Sequence, residues 1–87
     1  MSKDRNWSDV KAADYPVLMG LKPTRKKIKQ QRIYWDGKDR RYFHKDALHG
    51  EVEVYDRFGN HIGVMNPWGG WHDKKRRDKR KTLRGII

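Results

Sequence analysis

The sequence predicts a mainly β fold: an antiparallel meander of three or four short strands, with a short N-terminal helix and a basic C-terminal tail. Residue types alternate through His49–Tyr55, and a period of two is that of a β-strand. Strong turn signals such as Asp36-Gly37 separate the β-rich runs. The chain has 87 residues, of which 34% are hydrophobic, so one domain with a small core is expected over residues 1–87.

The segment before the sheet is expected to contain a helix and a packing anchor. Residues 1–13 form the predicted N-terminal arm, in which Ser8 caps a short helix that runs through Ala13. The next residues, Tyr15-Pro16-Val17-Leu18-Met19, are a small apolar cluster whose proline favours an anchor over a helix. The basic run from Thr24 to Arg32 is expected to be extended or poorly ordered.

Residues 14–72 contain the predicted sheet, and residues 73–87 the predicted tail. Pro67 ends the sheet because proline has no amide hydrogen to donate. A sheet of this kind can leave one face bare for a ligand. The tail is expected to be exposed, with Leu83, Ile86 and Ile87 as its anchors. The predicted strands are Ile33-Tyr34-Trp35, Arg41-Tyr42-Phe43-His44, His49–Tyr55 and His61–Met65.

The charge of the chain points to an anionic partner. Its formal net charge is +11, from 22 Lys+Arg against 11 Asp+Glu, and such an excess attracts polyanions. Nucleic acid is the first candidate, an anionic membrane surface the second and an acidic protein the third. No apolar run approaches the roughly 18 residues of a membrane span. The chain contains no cysteine, which excludes disulfides and thiolate metal sites.

The central strand concentrates groups that can exchange protons. His49, Glu51, Glu53 and Tyr55 fall on alternate positions and therefore on one face, and the two glutamates are the only ones in the chain. With Asp46 nearby, a carboxylate and an imidazole can act as base and acid. RNA supplies its own nucleophile, the 2′-hydroxyl, so this chemistry needs no metal and no cofactor. Surrounding cations would hold the phosphate.

Two other interpretations of the same residues remain open. The strand face can be merely solvated, with its acids paired to Arg40 and Arg41 on a neighbouring strand. A metal site would draw on the histidines and acids, but no spacing matches a zinc motif, so no metal is expected. His44, His61 and His72 are expected to be surface residues rather than ligands.

A longer motif extends this stretch: Asp46-x-x-His49-Gly50-Glu51-x-Glu53-x-Tyr55, then Gly59-x-His61-x-Gly63 and Pro67. It resembles the cytotoxic ribonuclease domain of the ribosome-targeting E-group colicins and cloacin. The resemblance implies a small, highly twisted antiparallel sheet with a short N-terminal helix. It also implies cleavage of small-subunit ribosomal RNA at the decoding centre, which blocks translation.

The resemblance also implies partners and a location. The partners are the small ribosomal subunit with its RNA, and a small acidic immunity protein that a strongly basic surface would capture quickly. The chain would be a monomer or a toxin–immunity heterodimer. It would be a secreted or delivered toxin domain that acts in the cytoplasm of a target bacterium.

The residue roles that the resemblance implies are specific. Glu53 corresponds to the general base, His49 to the general acid and Asp46 to the catalytic aspartate. Counting on from Pro67 places the phosphate-binding arginine at Arg80, although Arg77, Lys81 and Arg84 stay open in so repetitive a tail. Glu51 and Tyr55 have supporting positions. The predicted RNA-binding residues are Arg40, Arg41, Lys74, Lys75, Arg76, Arg77, Lys79 and Lys81.

Departures from the family pattern, and two competing functions, accompany this hypothesis. The family has other residues at two places, which here read Phe43-His44-Lys45 and Trp68-Gly69-Gly70-Trp71. These differences affect substrate contacts more than the acid–base group. The chain could instead be a non-catalytic RNA- or ribosome-binding module, although carboxylates on a binding face repel phosphate. It could also be a RelE-like ribosome-dependent mRNA endonuclease, but such folds need helices that the sequence after Ala13 does not predict.

Overall fold

The computed structural model describes residues 6–87, within which five antiparallel strands form one sheet. Each strand pairs with the next one along the chain, so the spatial order is the chain order. This arrangement confirms the predicted mainly β meander, with five strands where three or four were expected, because residues 22–28 also pair with the sheet. The first five residues of the predicted arm lie outside the described part. The strands are β1 (Lys22–Ile28), β2 (Gln31–Asp36), β3 (Arg41–Asp46), β4 (Glu51–Asp56) and β5 (His61–Met65).

The N-terminal helix predicted from Ser8 through Ala13 is wrong. The backbone is extended at Val10, which interrupts helical geometry. The carbonyl oxygens of Ser8 and Val10 accept hydrogen bonds from the Lys45 ammonium at 2.8 and 2.7 Å, so they are already satisfied without a continuous helix. The segment consists of three short 3₁₀ turns, Trp7–Asp9, Ala12–Asp14 and Pro16–Leu18.

The run from Thr24 to Arg32, predicted to be extended or poorly ordered, forms most of the first hairpin. The pairing of β1 with β2 shifts register between Pro23 and Lys27, so β1 is irregular. β1 lies at the edge of the sheet, and its exposed basic side chains discourage pairing with a strand of another chain. No helix within residues 6–87 is long and apolar enough to cross a membrane.

The larger hydrophobic core lies on one face of the sheet, beneath the N-terminal segment. Tyr15 and Leu18 are 0% and 2% exposed, which confirms the predicted packing anchor. Val52 and Val54 of β4 point into the same cluster because alternate residues share a face. The buried members are Tyr15, Leu18, Tyr34, Phe43, Val52, Val54 and Met65.

A second, smaller core lies on the opposite face, where the C-terminal segment returns to the sheet. The Leu83 side chain is fully buried against Ile33 and Tyr55, and its amide donates to the Gly59 carbonyl oxygen at 2.9 Å. Thr82 forms a bridge with Asn60. The predicted anchoring of the tail is therefore confirmed. The face that was expected to be bare is partly covered, and this covering segment brings basic residues to β4.

Candidate active site

A cavity of about 570 Å³ opens on the face of the sheet that carries the C-terminal segment. Side chains of β3, β4, the β3–β4 loop and the tail line it together. All four residues predicted to be catalytic lie in its lining: Asp46, His49, Glu53 and Arg80. The supporting residue Tyr55 lines it as well. Sequence-distant elements therefore meet at one concave surface that is open to a substrate.

The Asp46 side chain shapes the loop that follows β3. Its Oδ1 accepts hydrogen bonds from the backbone amides of Leu48 and His49 at 3.1 and 3.3 Å, a local bonding pattern typical of an Asx turn. Its Oδ2 lies 2.8 Å from His49 Nδ1. His49 thus belongs to a turn and not to the strand predicted from His49 to Tyr55. Asp46 orients the half-exposed His49 ring through Nδ1. The other ring nitrogen, Nε2, lies on the side of the ring away from Asp46.

Gly50 fixes this loop against the N-terminal segment. Its φ of +66° lies in the left-handed region that favours glycine. A Cβ atom at this position would stand 2.9 Å from the Ser8 amide nitrogen and 3.0 Å from Trp7 Cβ. Only a residue without a side chain lets the loop and the N-terminal segment approach so closely. The β3–β4 loop is therefore supported by residues that precede the sheet.

Glu53 is a buried carboxylate with a hydrogen-bond donor on each oxygen. Its Oε1 lies 2.6 Å from His61 Nε2, and its Oε2 lies 3.2 Å from Lys81 Nζ. Burial alone would raise the pKa of Glu53, but the hydrogen bonds from His61 and Lys81 outweigh it and lower the pKa to about 2. The carboxylate is therefore charged at neutral pH. At 5% exposure, Glu53 does not fit the solvated-face interpretation.

His61 is held in one tautomer. Its Nδ1 accepts the backbone amide of Asp78 at 2.9 Å, so the proton of the neutral ring resides on Nε2 and is donated to Glu53. His61 is 2% exposed, and the prediction that it lies on the surface is wrong. His61 is buried by a tertiary contact that the sequence does not reveal. The tail packs over β5, and the His61 ring lies between Glu53 and the Asp78 amide.

His44 is a second buried histidine, 6% exposed, and its predicted surface position is also wrong. It lies directly opposite Glu53 in the β3–β4 register. Its Nδ1 donates to the Lys45 carbonyl oxygen at 3.0 Å, and its Nε2 accepts from the Tyr55 hydroxyl at 2.9 Å. Burial lowers the pKa of His44 and raises that of Tyr55, so both remain neutral at pH 7. The sequence does not predict a role for His44 in this site, because only the strand register places it opposite Glu53.

Glu51 has different surroundings from Glu53, two residues away. Its carboxylate lies 2.6 Å from Lys75 Nζ and 3.6 Å from His72 Nε2. It is absent from the lining of the 570 Å³ cavity. His72 is partly exposed, in closer agreement with the predicted surface position. The two glutamates of β4 thus pair with lysines of the tail, which differs from the interpretation that paired them with Arg40 and Arg41.

The predicted phosphate-binding residues divide by position. Arg80 and Lys81 line the cavity, and the Arg80 guanidinium is highly exposed while paired with Asp78 at 3.2 Å. Arg41 lies over the Trp71 ring, 5.6 Å from its centroid. The others stand outside the cavity, either in the β2–β3 turn or along the tail: Arg40, Lys74, Lys75, Arg76, Arg77 and Lys79.

One group of side chains has the composition of a cation site. Asp46, His49 and Glu51 each offer a ligand atom, and these atoms lie within 4.8 Å of one another. However, the Lys75 ammonium already neutralises Glu51, and Asp46 accepts two backbone amides as well as the His49 ring. The arrangement is a satisfied hydrogen-bond network, and we assign no metal ligand within it.

The cavity thus contains a charged buried carboxylate, a half-exposed imidazole held by a second carboxylate, and cationic side chains that include Arg80 and Lys81. These groups can accept a proton, donate a proton and bind an anion without further components. A comparison with protein-family models finds a match to the family described as Cytotoxic over residues 9–83. No curated protein matches the chain.

Proposed function

Because the chain belongs to the family of cytotoxic domains of the E-group colicins, which are toxin nucleases, we propose that it cleaves small-subunit ribosomal RNA. The cut falls at the decoding centre and blocks translation. The observation that carries this proposal is the shared cavity, in which Glu53, His49, Asp46 and Arg80 meet. The net charge of +11 supports an RNA substrate because it favours a polyanion.

The proposed reaction is acid–base attack of the 2′-hydroxyl on the adjacent phosphorus. Glu53 takes the proton of the hydroxyl, and the resulting oxygen displaces the 5′-oxygen of the next nucleotide. His49 protonates that leaving oxygen from Nε2, while Asp46 holds the ring through Nδ1. The products are a 2′,3′-cyclic phosphate and a 5′-hydroxyl. Arg80 binds the phosphate and stabilises the negative charge that develops on it. No metal enters this scheme.

Other basic residues would bind the RNA without taking part in the chemistry. These residues lie outside the cavity, where they can contact neighbouring phosphates: Arg40, Arg41, Lys74, Lys75, Arg76, Arg77 and Lys79. The same basic surface suits an acidic immunity protein, with which the chain would form a heterodimer when it is not a monomer. We infer that the toxin acts in the cytoplasm of the target bacterium, where ribosomes are accessible.

Intact ribosomes provide the test. The purified chain is mixed with ribosomes in the presence of a chelator, and the RNA is separated on a gel. Wild-type protein is expected to release a single fragment from the 3′ end of the small-subunit RNA. Glu53→Gln and His49→Ala are expected to slow cleavage by roughly 100-fold or more, because each removes one proton-transfer group. Asp39→Asn, in an exposed turn outside the cavity, is the matched control and should cleave normally.

Each alternative gives a different result in this assay. Intact RNA would support the non-catalytic binding module, and cuts confined to messenger RNA would support the RelE-like endonuclease. The latter also conflicts with the fold, since residues 6–87 contain no α-helix. Wild-type cleavage rates for Glu53→Gln or His49→Ala, in proteins whose circular dichroism is unchanged, would refute the assigned roles.

A further inference from the structure

We propose that Lys81 is an exchangeable partner of Glu53, which holds the carboxylate in the free protein and moves to a substrate phosphate when RNA enters the cavity. This inference rests on the proposed function and adds a step that precedes proton transfer. A general base must come within hydrogen-bond reach of the proton that it removes. In the free protein both oxygens of Glu53 already accept a hydrogen bond.

The two partners of Glu53 differ in their freedom to leave. His61 is 2% exposed, and its second nitrogen is bonded to the Asp78 amide, so it cannot turn away without disrupting the tail. The Lys81 side chain is 44% exposed and lines the cavity. Its bond to Glu53 Oε2, at 3.2 Å, is also longer than the 2.6 Å bond from His61. An entering substrate can therefore replace Lys81 and not His61.

The chemistry of the two states favours this exchange. While the ammonium contacts Oε2, it stabilises the charged form of Glu53 and weakens it as a base. Once Lys81 moves away, Glu53 stays buried and keeps only the hydrogen bond from the His61 ring. Its carboxylate then has a greater affinity for a proton. A phosphate is a suitable new partner because a lysine ammonium is a compact charge on a flexible stem. The substrate would thus activate the base that attacks it.

Several other charged or titratable groups surround Glu53 and stay in place when Lys81 is replaced. A change in the protonation of Glu53 in a Lys81 variant therefore reports the loss of the lysine. These groups are His44 on β3, Tyr55 on β4, His61 on β5, and Lys29, Lys45, Asp46, His49 and Arg80 around the cavity.

The test uses NMR of the carboxyl carbon of glutamate in the free protein. Because the chain has only two glutamates, selective labelling gives two signals, and Glu51→Gln assigns them. Wild type, Lys81→Gln and the control Lys38→Gln are titrated with acid over the range in which their amide spectra show a folded protein. Lys38 is an exposed residue of the β2–β3 turn, so its variant loses the same charge outside the cavity.

We expect Glu53 to begin taking up a proton at least about one pH unit higher in Lys81→Gln than in wild type or Lys38→Gln. Sodium sulfate, as a stand-in for phosphate, should produce a similar change in wild type but not in Lys81→Gln. Sodium chloride at the same ionic strength should leave wild type unchanged. The Glu51 signal and the amide spectrum show whether any change instead reflects unfolding.

Two results would overturn the inference. One is an identical Glu53 titration in Lys81→Gln and wild type, and the other is no effect of sulfate on wild type. Lys81 would then be only a phosphate contact, whose replacement raises KM for ribosomes without altering Glu53. Neither result affects the proposed function, which is tested separately by the cleavage of small-subunit RNA by wild type and by its loss in Glu53→Gln and His49→Ala.

Discussion

At the scale of single residues, burial and pairing distinguish the two glutamates of β4. Glu51 is paired with Lys75 at the margin of the sheet, whereas Glu53 is buried between His61 and Lys81. The alternating pattern alone places both on one face and makes them equivalent. Their difference arises from residues 8 to 28 positions further along the chain, whose contacts depend on the complete fold.

The low pKa of Glu53 makes the stability of the protein depend on pH. Its pKa is about 2 in the folded protein against an ordinary value of 4.5, so the folded state binds a proton there less readily. The resulting stability is complete above about pH 4.5 and is lost as the pH falls toward 2. It amounts to about 3 kcal/mol of unfolding free energy.

Urea unfolding at a series of pH values measures this contribution. The unfolding free energy of wild type is expected to decrease more steeply below pH 4.5 than that of Glu53→Gln, which has no carboxyl to titrate at this position. The other acids titrate in both proteins, so the difference between the two curves isolates Glu53. Parallel curves would contradict the assigned pKa.

At the scale of elements, the strand pattern predicts β4 but not the loop before it. Alternation identifies Glu51–Tyr55 as a strand because both faces of β4 are buried against different cores. It wrongly extends the strand to His49. The alternation of polar and apolar residues does not show that the Asp46 side chain stabilises a turn at this point. The glycine at position 50 was the available sign of a turn.

The tail is an element whose role could be predicted only in part. Its leucine and isoleucines indicate anchoring, and its basic residues indicate phosphate contacts. That Asp78 fixes the His61 tautomer and that Lys81 reaches Glu53 could not be predicted, because neither contact follows a sequence period. The motif predicts which residues exchange protons, whereas the environment of these residues depends on which segment covers the sheet.

The anchoring of the tail can be tested at Leu83. Leu83→Ala leaves a cavity in the smaller core and is expected to lower the unfolding free energy by about 3 kcal/mol. The substitution should also speed hydrogen exchange of the Asp78 amide, which donates a hydrogen bond to His61 Nδ1. It should reduce ribosome cleavage as well. Urea unfolding and amide exchange measure the two structural effects.

Leu48→Ala is the matched control for stability, because Leu48 is 81% exposed and buries little apolar surface. Its unfolding free energy should remain within about 0.5 kcal/mol of wild type. If Leu83→Ala were as stable as Leu48→Ala, and the Asp78 amide exchanged at the wild-type rate, Leu83 would not anchor the tail.

At the scale of the whole molecule, the charge of +11 should make ribosome binding sensitive to salt. In a Glu53→Gln background that prevents cleavage, affinity is expected to fall linearly with salt on logarithmic axes. Replacing Lys74, Arg76 and Lys79 by Gln should reduce the magnitude of the slope by about 2, since each phosphate contact contributes roughly 0.7. Binding measured at several potassium chloride concentrations gives the slope.

A second triple variant has the same charge and tests where the contacts are made. Lys11, Lys22 and Lys38 are exposed outside the tail, and their replacement by Gln should change the slope less. Equal reductions in the two variants would mean that the net charge attracts the ribosome without a defined role for the tail.

The attachment of the tail has a consequence for the cell that makes this chain. A polypeptide leaves the ribosome from its N-terminus, so the five strands are synthesised before Asp78, Arg80, Lys81 and Leu83. Until those residues emerge, Glu53 lacks Lys81, the His61 ring lacks the amide that orients it, and the cavity lacks two of its cations. Glu53 and His49 are therefore synthesised before the residues that complete the cavity, and the translating ribosome faces an incomplete site until the tail has emerged.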